Sequence, residues 1–431
     1  MRSTGNPLAG RTLYIQQMTY ASTHLLAAAF HSVGINAVVT EESDERTLEL
    51  GGKFSSGEEC LPEKITLGDY LKVVFSEEFD AKRAAFLMPT ANGPCRFGQY
   101  SGLLRKVLND LGHHEALIFS PTSANGYDGF GANGNIFLRS AWRAVVVGDV
   151  LTKALLRTRP YELRKGDTDE VFLRSIRRMG DVFSEKVESA GSQLERLVRA
   201  LSVCHDEFCS LPVDMSEPKP LVGVVGEIFC RLNDFSNDSI VRKLEEYGCE
   251  TWLSDVAEWV WYTNDEAKTN MDADGLLKIH PKRIKLWAKT KFQRHDEHAL
   301  LSAFGDYFAG AEEASDVTEI LNASRPYLPK EGSLGEMVLS SGKAIYLYRM
   351  GADGIVDISP FTCMNGIVTE AIYTKLSKDC DGIPIRTFYF DGISSDLDRD
   401  VGIFVELVKT YRRRKKIARV WPYRKETTAV A

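Results

Sequence analysis

The chain has 431 residues, 44% hydrophobic and 26% charged, with a formal net charge of −7. That length exceeds the size at which one core usually stops growing, so two or three domains are expected. The acidic balance gives no electrostatic basis for a nucleic-acid partner, and no run approaches the roughly 18 apolar residues of a membrane span.

RTLYIQQ (11–17) reads as a strand, STHLLAAAFHSVG as a helix closing at Gly34, and INAVVT as a second strand. PEKITLGDYLKVVF is helical, AAFLM a third strand, FGQYSGLLRKVLNDLG a helix and ALIFS a fourth strand. Strands alternating with helices of this length predict parallel pairing through crossovers, so residues 1–130 form a first α/β domain. GFGANG (129–134) matches G-x-G-x-x-G. It does not follow a strand directly, and the first acid downstream, Asp149, comes too early for a dinucleotide fingerprint. It is read as a glycine-rich loop. No phosphate-binding loop of the G-x-x-x-x-G-K-[ST] type occurs.

Residues 131–215 carry helical periodicity and end in a linker, LPVDMSEPKP. A second α/β domain, 216–431, then opens with LVGVVGEIF as strand, NDSIVRKLEEYG as helix and ETWL as strand. A charged helical insertion occupies about 255–330. GIVDISP, CMNGIVTEAIYTKLSKD, IRTFYF and a last helix complete the domain. The fold class is therefore α/β, with two flavodoxin-like parallel-sheet domains and helical insertions. The basic run Arg412–Lys416 follows IFVELVKTY and reads as solvated cations at a helix C-terminus.

The N-terminal stretch lacks the apolar core of a signal peptide, which points to a cytoplasmic protein. Its eight cysteines are then mostly reduced, favouring metal binding or catalysis over disulfides. Cys204 and Cys209 flank His205 within a helix but lack the second pair that a zinc motif requires. Cys249 and Cys380 read as core and turn residues.

Cys60, Cys95 and Cys363 differ. Each lies where an apolar run gives way to a helical pattern beside Pro or Gly, in GEECLPEKITLG, LMPTANGPCRFGQYSGLL and ISPFTCMNGIVTEAI. Ligands of open α/β sheets bind at such strand-to-helix loops, and a helix N-terminus favours a thiolate. Three thiols so placed predict one shared soft metal centre, an iron–sulfur site.

ECLPEK, GPCRFGQY, GEIFCRLNDFSND and PFTCMNG resemble the 2-hydroxyacyl-CoA dehydratase family, which includes benzoyl-CoA reductase subunits and double-cubane cluster proteins; the activase-related branch is the nearest in pattern. The likeness spans nearly the whole chain. It implies three cysteine ligands per subunit, holding a [4Fe–4S] cluster or half the cysteine set of an [8Fe–9S] cluster. It also implies a separate ATP-dependent activase as electron donor, and pairing with a second copy or a related subunit. The pattern departs at Asn365, where the family often has Pro, and at Cys230, an additional thiol.

Two readings stand. In the first, the chain is a component of a low-potential reductase or acyl-CoA dehydratase-type system. Glu59, Arg96, Gln99 and Tyr100 then surround the ligands and tune the potential, while Glu227, Arg231 and Asn237 face substrate or cluster, or simply end a strand and cap a helix. In the second, it is a non-catalytic α/β binding or scaffold protein without a metal.

Overall fold

A computed structural model describes residues 6–90, 95–121, 134–332, 335–393 and 396–421. The first unit runs β1 (Thr12–Ile15), α1 (Tyr20–His31), β2 (Asn36–Val39), α2 (Glu45–Lys53), α3 (Leu61–Val74), β3 (Ala84–Leu87), a 3-10 turn (Arg96–Gln99), α4 (Tyr100–Asp110) and β4 (Leu117–Phe119). Its strands are all parallel in the order β2-β1-β3-β4. Strand periodicity splits the side chains between two cores. Leu13, Ile15, Ala85 and Leu87 face α1, while Ala84, Phe86 and partly buried Tyr14 join Tyr70, Leu104 and Leu108 on the opposite side.

The helices α5 (Gly134–Thr158), α6 (Asp167–Ser184) and α7 (Ala190–Ser210) are not a separate body. Val147, Leu151, Met179, Phe183, Leu197 and Leu201 pack in one core with Leu25 and Phe30 of α1. A helical segment with one apolar face needs such a partner surface. Of GFGANG, only Gly134, the first residue of α5, lies within the described residues.

The second unit comprises β5 (Leu221–Gly226), α8 (Ile228–Leu232), α9 (Ile240–Glu246), β6 (Glu250–Leu253), α10 (Val256–Ala273), α11 (Pro281–Ser302), α12 (Val317–Ser324), α13 (Glu336–Arg349), β7 (Gly354–Pro360), α14 (Met364–Asp379), β8 (Ile385–Phe390) and α15 (Leu397–Arg412). Its parallel order, β6-β5-β7-β8, repeats that of the first. Both sheets thus show the flavodoxin-like order expected of the α/β class. Every residue of β5 and β7 is buried, as central parallel strands covered on both faces require.

The inserted helices tie the units together. Arg139 and Arg143 of α5 both donate to the Asp296 carboxylate of α11, at 2.7 and 2.8 Å. The Trp142 indole donates to the Gln293 carbonyl at 3.0 Å.

The basic run stands at the end of α15 as expected, with Arg413, Arg414 and Lys416 exposed, and part of it also finds partners. Lys415 pairs with the buried Asp353 at 2.7 Å, Lys416 with Asp381 at 2.8 Å, and Arg412 donates to the Pro218 carbonyl. These partners come from distant loops, so a reading based on helix-end charge alone misses them. No helix among the described residues is long and apolar enough to cross a membrane.

Candidate metal centre

Each of the three cysteines occupies the same local position. Cys60 precedes α3, Cys95 precedes the 3-10 turn leading into α4, and Cys363 precedes α14; all three have extended backbone, and no side chain caps the helix behind them. The first-turn backbone of Glu63, of Phe97, and of Gly366 with Asn365 acts against the rise in the Cys60, Cys95 and Cys363 thiol pKa values, while the Glu63 N–H itself donates to the Cys60 carbonyl at 3.0 Å.

The loops are tied to one another. The Arg96 guanidinium, next to Cys95, donates to the Glu58 carbonyl at 2.5 Å and to the Thr362 hydroxyl at 3.3 Å. One side chain therefore bridges the loops of all three cysteines across both units. Tyr100 places its hydroxyl 2.9 Å from Cys60 Sγ. Leu61 and Ile65 of α3 pack in the core of the second sheet with Phe229 and Ile358. Asn233 donates across the units to the Gln17 carbonyl and the Ser43 hydroxyl.

Backbone geometry brings Glu227 and Cys363 close to this junction. Gly226 has φ +119°, and a Cβ there would lie 2.1 Å from the Ile358 carbonyl. Only glycine allows β5 to turn so close to β7, and the strand expected to run through Phe229 ends here instead. Gly226→Ala should destabilise the protein by at least about 2 kcal/mol, since strain at positive φ adds to overpacking. Urea denaturation checks this; an unchanged midpoint would refute the tight-turn account. Thr362, immediately before Cys363, also lies in the left-handed region, at φ 67°, a form of backbone strain that clusters at functional sites.

The electrostatics disfavour bare thiolates. Burial, opposed by the Tyr100 and Glu63 hydrogen bonds and reinforced by Glu227, pushes Cys60 up to about 11. Burial with Glu227 and Glu336 pushes Cys363 up to about 12, and Cys95 is raised in the same way. Burial and then the Glu336 charge raise Glu227 to about 7, and burial raises Glu336 against the opposing Arg231 charge and Asn365 bond. A bound metal deprotonates its thiols outright and reverses this balance.

Glu227 accepts the Phe229 and Cys230 N–H groups and so caps α8 while also facing the thiols. Glu59 turns into its own loop. Burial opposes its charge, but bonds from Ser56 and Gly57 outweigh that and hold it near 2. Gln99 is exposed and caps nothing. Asn237 serves the backbone, donating to the carbonyls of Cys230 and Arg231 and accepting the Ile240 N–H; its side-chain bonds join α8 to α9. Arg231 is buried and separates Glu336 from a cavity described below. Cys230 is fully buried, with its thiol toward the Ser236 carbonyl. Cys204, Cys249 and Cys380 are buried as well.

Glu336 and Glu63 were not anticipated. Glu336 opens α13 and accepts a 2.9 Å bond from Asn365, so the departure at Asn365 acquires a role: it holds this carboxyl near Cys363. Burial, then the Glu59 charge, raises Glu63 to about 7. The sequence signal for Glu63 was its place three residues into the helix behind Cys60.

Among the described residues, no three His, Cys, Asp or Glu side chains close on a single metal ion. A cluster is bound through one thiolate per iron, so its ligands need not meet at a point. Soft donors at three helix N-termini, on loops fastened together by Arg96, suit such a group. Compared with known proteins, the chain matches no family model and no curated relative.

Proposed function

We propose that this chain is an iron–sulfur protein, a cytoplasmic component of an ATP-dependent low-potential reductase or an acyl-CoA dehydratase-type system. Cys60, Cys95 and Cys363 would hold a [4Fe–4S] cluster, or share an [8Fe–9S] cluster with a second copy or a related subunit. The observation that carries this reading is Arg96, which fastens all three cysteine loops together. Such a cluster supplies single electrons at low potential.

The protein's own residues set its surroundings. Tyr100 donates toward the Cys60 sulfur, stabilising its charged form, and the first-turn backbone does the same at each ligand. The Arg96 charge counters the negative charge of the ligands. Glu227 and Glu336 lie beside the site with carboxyls raised by burial, Glu336 adding to the rise at Glu227.

A chain without a phosphate-binding loop needs its energised electrons from elsewhere. The rim of Cys363 offers a docking surface: Phe361, Met364 and Ile367 are 60%, 42% and 54% exposed. Exposed apolar residues grouped at a site mark interaction surfaces, and the occupant proposed here is a separate ATP-hydrolysing activase.

The test is anaerobic reduction of the reconstituted protein by a candidate activase, with and without ATP. Reduction should depend on ATP and slow when Phe361 and Ile367 are replaced by serine. Equal rates with and without ATP would contradict gated delivery.

A further inference from the structure

A cavity of about 420 Å³ lies beside α8, between the two units. Its apolar walls include Tyr20, Leu155, Phe172 and Trp252. Three buried polar groups on the same wall have no hydrogen-bond partner: Nε of Arg231, Oγ1 of Thr251 and Oγ of Ser254. These residues are 7%, 2% and 1% exposed; Thr251 is the second residue of β6, and Ser254 follows the strand at the carboxyl edge where α/β sheets bind ligands. Buried polar atoms are nearly always satisfied, and three able to donate to one space call for an acceptor.

Most other charged groups of the wall are occupied, while Glu42 and Asp234, the latter raised by burial, also line it. Asp149 accepts the Val256 and Ala257 N–H groups. Arg159 pairs with Glu245 and Asp169, Arg242 with Asp169, Lys153 with Glu313, and Glu250 with Arg419. Burial raises Asp149 to about 7 against the Ala257 and Val256 hydrogen bonds, and burial with the Glu313 charge raises Asp255.

On its far side, Arg231 lines a second space of about 10 Å³ with Gly226, Ser254 and Glu336. That is the size of one water. The larger cavity is thereby one water from a carboxyl that faces the thiols.

We propose that the 420 Å³ cavity binds a small organic carboxylate, whose oxygens accept hydrogen bonds from Arg231, Thr251 and Ser254 while its apolar body packs against Tyr20 and Trp252. Its role as the seat of the reducible molecule rests on the iron–sulfur reading; its capacity to bind a carboxylate does not.

The test is calorimetric titration of the full chain, metal-free and iron-reconstituted, with hexanoate, benzoate and 3-phenylpropanoate and with their primary amides. At least one acid should bind, with its amide at least about tenfold weaker, because a charge-assisted fork is lost. Arg231→Gln should weaken the acid by at least about tenfold. The double variant Thr251→Val/Ser254→Ala, which preserves shape, should also weaken it and guards against misfolding of the arginine variant. Iron content measured alongside should stay unchanged in the double variant. Binding by metal-free protein that takes up no iron would uphold the carboxylate site while refuting the cluster. Failure of all three acids to bind, equal binding of acid and amide, or a double variant that binds normally would overturn the proposal.

Discussion

Replacing Cys60, Cys95 or Cys363 with serine should each strip most of the iron from anaerobically reconstituted protein, whereas Cys204→Ser and Cys380→Ser should leave it in place. An alkoxide is a harder and more basic donor than a thiolate and serves iron–sulfur clusters poorly. The three ligand positions are half-buried or exposed and meet at loops joined by Arg96, whereas Cys204 and Cys380 are buried in separate cores. Iron per folded chain, with circular dichroism as the control for folding, checks this. Should all five variants behave alike, the ligand assignment is wrong.

The largest stability effect should come from Lys343→Met. Lys343 is fully buried in α13; its ammonium pairs with Glu258 at 2.8 Å and with Glu313, which also holds Lys153. Burial opposes the lysine charge, but Glu258 and Glu313 outweigh it and raise its pKa. Methionine fills similar space yet leaves Glu258 without its cation and Glu313 with Lys153 alone, both carboxylates mostly out of water, a change that costs about 3 kcal/mol. Urea unfolding of the metal-free chain should show that loss, and adding Glu258→Gln should recover part of it. A loss below about 1 kcal/mol would mean that the cluster of charges is effectively solvated.

Much of the second sheet was legible because its strands are short apolar runs bounded by turn residues. ETWL, GIVDISP and IRTFYF coincide with β6, β7 and β8. LVGVVGEIF overshot: its apolar character continues through Phe229, but Gly226 turns the chain and Glu227 caps a helix. The helix α2 went unread, since its capping box pairs Asp44 with Thr47 rather than the usual Ser or Thr with Glu.

At the site, local pattern placed the cysteines before helices, and Arg96 and Tyr100 stood out beside Cys95. Glu336 could not be found this way. It sits at the head of a helix buried around its whole circumference, and its importance arises only when a segment 29 residues away brings Asn365 against it. For Asn237 the capping alternative describes what its side chain does: it accepts the Ile240 N–H at the head of α9 and donates to the Cys230 carbonyl, joining two helices.

The central claim is tested most directly by counting iron and acid-labile sulfide in the full chain after anaerobic reconstitution. Three thiols around one cluster predict about four irons per chain, whether a [4Fe–4S] unit is held singly or an eight-iron cluster is shared between two chains. A protein that stays folded but retains fewer than about 0.5 irons per chain would contradict the account and leave an α/β binding or scaffold protein in its place.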